Sequence, residues 1–252
     1  MLKDYTKTEK SWIFYDWANS AYTMVVTSTI MTLYFMSSAT TALEGQVENP
    51  TVVASAYWGY ANSITTAILV VLSPILGTLA DYKGRKKRYF NFFFFTGVIF
   101  TAVLAFVPSH LWMWLLIVFV ITTVGFAGAN IFYDAFLVDI TEDDRMDKVS
   151  SMGFALGYIG STIPFIVCMA IVVLATLGIV PISVETAYRI SFVITAAWWL
   201  VFSIPMIRDV VQKHGIEPES DGIRKSFTRI WQTIKDIRKH RTIFLFLLAY
   251  FL

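Results

Sequence analysis

Long runs without a formal charge dominate this sequence. Each run is close to, or longer than, the roughly 20 residues that a helix needs to cross a bilayer. Only helices and closed barrels satisfy the backbone polar groups inside a membrane, and these runs lack the two-residue alternation of a barrel strand. The sequence therefore predicts an all-α integral membrane protein. The runs cover residues 17–43, 50–80, 89–133, 149–184 and 190–207.

The run at residues 89–133 is long enough for two helices, and Pro108, Ser109 and His110 form a natural turn between them. Six spans are therefore predicted, at residues 13–36, 53–79, 89–107, 111–137, 151–177 and 188–207. The predicted organisation is a six-helix transmembrane bundle at 1–207, a loop with an amphipathic helix at 208–241, and the start of a truncated seventh transmembrane helix at 242–252. That last segment has about half the length of a span, so an interfacial or anchoring helix is the alternative.

Lysine and arginine fall almost entirely on one side of the predicted bundle. Cytoplasmic loops of membrane proteins carry an excess of these residues. A cytoplasmic N-terminus places the basic loops at 83–88, 145–148 and 208–241 inside, and it leaves only Arg189 outside. We therefore predict a multi-pass protein of the cell membrane with its N-terminus in the cytoplasm. The same rule accounts for the basic residues, so they do not indicate a nucleic-acid partner.

Residue types suited to catalysis or cofactor binding are sparse. Cys168 is the single cysteine, which excludes a disulfide within the chain and a cysteine metal cluster. The three histidines fall in loops or at span ends and form no metal-ligand pattern, so no metal or cofactor is expected. The chain has no Gly-x4-Gly-Lys-Ser/Thr stretch, which argues against an ATP-driven pump. Only two isolated acids, Asp16 and Asp134, lie within spans, so the sequence does not indicate an enzyme.

The loop between the second and third predicted spans has a distinctive pattern. Gly77 is followed by three residues and then by Asp81, and after two more residues come Gly84, Arg85 and Lys86. Asp81 follows the end of a helix, where the macrodipole disfavours an acid, so we expect it to need a cation, such as Arg85, or a facing helix N-terminus. Gly77 suits a close helix contact and Gly84 a tight reversal. An ordinary basic loop would explain the cations but not the glycines and the acid.

This loop resembles the signature loop of the major facilitator superfamily at every defining position. Residues 12–22 and 150–161, which open the first and fifth predicted helices, resemble the branch that contains the fungal vacuolar amino-acid effluxer linked to autophagy and its bacterial relatives. The resemblance covers the whole chain and implies the N-terminal half of a twelve-helix fold, with a second six-helix half as its partner. It implies secondary active transport of small solutes by alternating access, such as amino-acid efflux, with residues 77–86 acting as a gating loop.

Polar side chains at helical spacing mark a candidate solute or ion pathway. Asp16 and Asp134 both follow a Phe-Tyr pair, and acids inside a membrane are functional by default. Hydrogen bonding between helices, with no ligand, is the alternative for every polar stripe, and it is the better interpretation for Asn62. A non-transporting receptor or binding protein on the same fold is the alternative function. The candidate pathway residues are Asp16, Asn19, Thr23, Asn62, Asn130, Asp134 and Tyr158.

Two further expectations concern packing. The phenylalanine row at 92–95 and the apolar sixth span predict that the third and sixth spans face lipid. The acidic loop at 139–147 falls on the same side as the basic loop at 83–88. A solvated loop is the default interpretation, and a set of ion pairs that helps to close a cytoplasmic gate is the alternative.

Overall fold

The computed structural model describes residues 2–217 and Leu245, and the described chain contains helices but no strand. The first helix, α1, spans Lys7–Ala21 and continues through a π-helical segment, Tyr22–Ile30, into α2, Met31–Leu43. A helix stands at each of the six predicted span positions. The remaining helices are α3 Pro50–Ala80, α4 Lys86–Leu104, α5 Trp112–Ala135, the short α6 Leu137–Ile140, α7 Met146–Thr176 and α8 Val184–Asp209.

Four helical stretches among the described residues are long and apolar enough to cross a membrane. The two other predicted spans correspond to the interrupted helix from α1 to α2 and to α4, which opens with three basic residues. The predicted amphipathic helix and the predicted seventh helix lie outside the described residues, apart from Leu245. The four stretches are Pro50–Ala80, Ser109–Ala135, Asp143–Thr176 and Val184–Asp209.

Local signals set the helix boundaries. The Oγ1 atom of Thr6 accepts a hydrogen bond from the Glu9 backbone N–H at 3.2 Å, and the Glu9 carboxylate accepts one from the Thr6 N–H at 2.7 Å. This capping box satisfies the free donors at the start of α1. Ser183 caps α8 in the same way by accepting from the Thr186 N–H. Between α3 and α4 the chain reverses at Gly84, whose φ of 74° suits a residue without a Cβ.

The helices run alternately up and down, so their ends gather at two ends of the bundle. We call the end that carries residues 2–10, 81–86, 139–147 and 208–217 the N-terminal end. Interactions between Lys7 and Asp209 and between Lys86 and Asp139 tie it together. The opposite end is tied by Glu185, which accepts hydrogen bonds from the loop before α5.

Aromatic side chains fill the core where α1, α4, α5 and α8 meet. Phe94 and Trp199 are fully buried and pack edge to face, with ring centroids 5.6 Å apart. The expectation that α4 and α8 simply face lipid was therefore incomplete. Phe92 and Phe95 are exposed, but Phe93 turns inward with Phe94 because neighbouring helix positions point in different directions. The least buried of the four membrane-length stretches is α3, followed by α7.

Candidate functional site

A cleft of about 480 Å³ lies between α1, α5 and the first turns of α7. Two acids line it, and the described part of its lining contains no lysine, arginine or histidine. Five of the seven predicted pathway residues meet here: Asp16, Asn19, Thr23, Asn130 and Asp134. The rest of the lining consists of Trp12, Ser20, Phe126, Tyr133, Leu137, Ser150 and Phe154.

The two remaining predicted residues lie elsewhere. Tyr158 is 73% exposed and lines an adjoining cleft of about 360 Å³, which shares Asp16 and Thr23 with the first. Asn62 lines neither cleft, and its Nδ2 donates to the backbone oxygen of Trp58, one turn earlier in α3, at 2.8 Å. Local hydrogen bonding therefore accounts for the Asn62 side chain, whereas the other six residues share one continuous groove.

Polar contacts between the first helix and α5 form one wall of the cleft. The first helix and α5 run antiparallel, so residues later in the first helix contact residues earlier in α5. Such bonds satisfy polar groups that would be costly to leave unpaired in a membrane. They join Trp12 Nε1 to the Tyr133 backbone oxygen at 2.9 Å, Asn19 Nδ2 to Asn130 Oδ1 at 2.8 Å, and the Tyr22 and Thr123 hydroxyls at 2.9 Å.

The opposite wall depends on small residues in α7. A Cβ atom at Gly160 would lie only 2.5 Å from the backbone oxygen of Trp17, so α7 approaches α1 as closely as a glycine allows. This approach places α7 beside Asp16, which is partly exposed to the cleft. The Ser20 hydroxyl donates to Asp16 Oδ1 across a long 3.4 Å. Asp134, on the α5 side, is exposed.

The π-helical segment Tyr22–Ile30 begins three residues after Asn19 and contains Thr23. Its wider turn is visible in the bond from the Thr29 hydroxyl to the Met24 backbone oxygen, five residues earlier, at 3.0 Å. π-Helical turns are rare and occur frequently at functional sites. Hydrophobic periodicity carries no signal for this segment, and we did not predict it from the sequence.

At the N-terminal end, Lys86 of the predicted gating loop makes a buried ion pair. Its Nζ lies 2.7 Å from Asp139 Oδ2, and the side chains of the two residues are 5% and 0% exposed. The other carboxylate oxygen, Oδ1, accepts hydrogen bonds from the backbone N–H groups of Lys213 and His214 at 2.8 and 2.7 Å. Asp139 therefore joins the acidic loop to the basic loop through one buried ion pair. A larger set of ion pairs that closes a gate stays a prediction.

Two expectations about this loop were wrong. Asp81 is exposed, and no ion pair among the described residues joins it to Arg85. The Arg85 guanidinium instead lies 5.8 Å from the centre of the Tyr82 ring, and an exposed carboxylate such as that of Asp81 is solvated by water without a partner. A Cβ at Gly77 would meet no described atom within 4 Å, so Gly77 makes no close helix contact in the part of the chain that the structure describes. The reversal at Gly84 is confirmed.

Residues 210–217, which follow α8, fold back over the same loop, and we call them the strap. The Lys83 N–H donates to the Ile216 oxygen and the Ile216 N–H donates to the Asp81 oxygen, both at 2.9 Å. Gln212 accepts from the Lys86 N–H at 3.2 Å and donates to the Tyr82 oxygen at 3.1 Å. The strap therefore holds both the loop and Asp139, and no sequence pattern signalled it.

A second ionic cluster joins α1 to the turn before α7. Arg145 Nε and Nη2 donate to the two carboxylate oxygens of Glu9, each at 3.0 Å, and the Thr141 hydroxyl donates at 2.7 Å. Burial raises the pKa of the Glu9 carboxyl. The hydrogen bonds from Arg145, Thr141 and the Thr6 N–H outweigh it and lower that pKa to about 2. Glu9 is therefore ionised at neutral pH.

Comparison with known proteins adds two matches. The family model described as "Vacuole effluxer Atg22 like" matches residues 5–252 of this chain. A protein of Bacillus subtilis (strain 168) named "Uncharacterized MFS-type transporter YxiO" is 51% identical over 251 residues, covering 100% of this chain and 58% of that protein. The chain thus spans a little over half the length of this relative. No solved structure matches the chain significantly.

Proposed function

Because the chain belongs to the family of proteins like the vacuole effluxer Atg22, we propose that the complete protein is a secondary active transporter of small solutes that works by alternating access. Amino-acid efflux is the activity that its resemblance to that effluxer favours. The observation that carries the proposal is the polar cleft between α1, α5 and α7, with two acids in its lining. Polar and ionisable groups are expensive within a membrane and mark solute or ion pathways. We assign the chain no enzymatic role.

We propose that the transporter lies in the cell membrane with its N-terminal end in the cytoplasm. The N-terminal end carries the basic residues of the loops at 83–88 and 145–148, whereas Arg189 is the sole lysine or arginine at the opposite end among the described residues. The excess of basic residues in cytoplasmic loops supports this orientation.

A second six-helix bundle is the proposed partner of this one. Transporters built from repeats bind their solutes near the bilayer midplane, at the interface between the repeats. The cleft is open along one side, and the relative's greater length leaves room for such a bundle. The exposed faces of α3 and α7 are the surfaces that it would cover.

The N-terminal end supplies the proposed inner gate. The Lys86–Asp139 pair joins the start of α4 to the short α6, and the strap fixes both partners. A buried ion pair with every oxygen hydrogen-bonded can switch between made and broken states, as a two-state gate requires. The proposed gating-loop residues are Gly77, Asp81, Gly84, Arg85 and Lys86.

Side-specific labelling distinguishes a transporter from a receptor on the same fold. Cys168 is the single cysteine of this chain and is buried. Cys168→Ser, combined with replacement of any cysteine in the proposed second bundle, gives a background in which Thr23→Cys places a thiol in the cleft. A membrane-impermeant maleimide should label this thiol from both sides of a vesicle, because alternating access exposes the cleft to each side in turn. Glu48→Cys, in the loop at the opposite end, should react from one side only and reports vesicle orientation. Labelling of Thr23→Cys from a single side would favour the receptor.

A further inference from the structure

We propose that the cleft between α1, α5 and α7 binds a protonated amine, so that the solute is recognised through an ammonium group. The role of this site in transport rests on the proposed function. Amine binding to the cleft can be tested independently of that function. Free amines and amino acids share this ammonium chemistry, and the experiment below separates them.

The charge balance of the cleft is the first argument. Asp16 and Asp134 both line it, and none of the described residues in the lining is cationic. None of the ion pairs among the described residues involves either acid. Asp16 is partly removed from bulk water, and such charges are normally paired. Asp134 is exposed and adds a second negative charge to the lining of the same cleft. A bound ammonium supplies the counter-charge.

An unpaired phenol is the second and independent argument. Tyr133 lines the cleft and is only 4% exposed, yet its hydroxyl has no hydrogen-bond partner among the described residues. Buried hydroxyls are nearly always paired. The Tyr133 hydroxyl lies close to the Asp16 carboxylate. A Cβ atom added at Gly153 would be 3.3 Å from Asp16 Oδ2 and 3.5 Å from the Tyr133 hydroxyl oxygen, so the two oxygens flank the same point. An ammonium has three donors, which suit a carboxylate and a phenol oxygen together.

Aromatic walls are the third argument. Trp12 and Tyr133 stack with ring centroids 4.3 Å apart, and Phe126 and Phe154 line the same cleft. Aromatic faces attract cations and suit organic ammonium groups in particular. No cation in the lining is available to bind the carboxylate of an amino acid, so this bundle would hold only the amine end of such a solute.

Three compounds that share one branched carbon skeleton test this inference: isoamylamine, L-leucine and 4-methylpentanoate. Equilibrium dialysis of the radiolabelled compounds against the purified complete protein measures retention of each. The protein should retain isoamylamine and not 4-methylpentanoate. Retention of L-leucine as well would indicate amino acids as the source, and its absence would indicate free amines.

Two charge-removing variants and one hydroxyl-removing variant probe the site itself. Asp16→Asn and Asp134→Asn should each weaken amine binding about tenfold or more, because each removes a charged partner. Tyr133→Phe should weaken binding without lowering the melting temperature, since its hydroxyl has no hydrogen-bond partner among the described residues. Glu48→Gln, which removes an exposed carboxylate at the opposite end, should leave binding unchanged.

Retention of 4-methylpentanoate, failure to retain either ammonium compound at millimolar concentration, or undiminished amine binding in both aspartate variants would overturn the inference. The transport proposal and the amine-site proposal can fail independently. An amine that is bound but never crosses proteoliposomes removes the transporter proposal and leaves the site. If the protein transports neutral or anionic solutes and both aspartate variants still do so, the amine site is contradicted and the transporter proposal stands.

Discussion

The Lys86 ammonium lies 2.7 Å from the Asp139 carboxylate, with both side chains almost completely removed from solvent. The two residues are 53 positions apart in the sequence. The pair therefore joins α4 to α6, two helices that are not consecutive in the chain. Removing one partner of a buried pair leaves the other charge without compensation, whereas exposed pairs contribute little. The proposed gate therefore depends on this pair more than on the other charges of its loop.

Asp139→Asn should lower the free energy of unfolding by roughly 3–5 kcal/mol, the usual cost of leaving a buried charge unpaired. Thermal unfolding in detergent measures it. Lys83→Ala is the matched control, because Lys83 pairs with Glu217 at 3.5 Å and both side chains are largely exposed. That variant should cost less than about 1 kcal/mol. Equal losses in the two variants would contradict the gate assignment.

Glu9→Gln should destabilise the protein in a pH-dependent way. The pKa of Glu9 falls from its ordinary value of 4.5 to about 2 in the folded protein. A lowered folded-state pKa stabilises the protein above pH 4.5, and this stabilisation is lost as the pH falls from about 4.5 toward about 2. The melting temperatures of Glu9→Gln and the parent should therefore differ at pH 7 and converge across that acid range. A difference that stays constant with pH would show that Glu9 is not ionised in the folded state.

Gly160→Ala should impair both stability and transport. The new Cβ would lie 2.5 Å from the Trp17 backbone oxygen, so α7 must move away from α1 and the cleft must change shape. Thr96→Ala is the control in α4, where the exposed hydroxyl donates to the Phe92 oxygen of the same helix. Since alanine favours a helix over threonine, that control should be neutral or slightly stabilising. Similar melting temperatures and flux for both variants would show that the α1–α7 contact is not close in the working protein.

The sequence predicted the helices well because long apolar runs and helical spacing are local properties. Spacing alone grouped Asp16, Asn19 and Thr23 on one face, and the structure brings that face to Asn130 and Asp134. Contacts between distant segments were harder to predict. The strap, the choice of Asp139 as the partner of Lys86 and the burial of Phe94 all depend on how the helices pack, which periodicity does not specify.

Efflux from proteoliposomes that contain the complete protein tests transport through the cleft most directly. Vesicles are loaded with a mixture of amino acids, amines and organic acids, and mass spectrometry follows the loss of each solute. We predict that at least one solute leaves faster than from protein-free vesicles. Thr23→Trp, which fills the cleft, should abolish the excess, and Thr96→Trp, on the exposed face of α4, should retain it. No accelerated solute, or equal efflux by Thr23→Trp and the parent, would contradict the account.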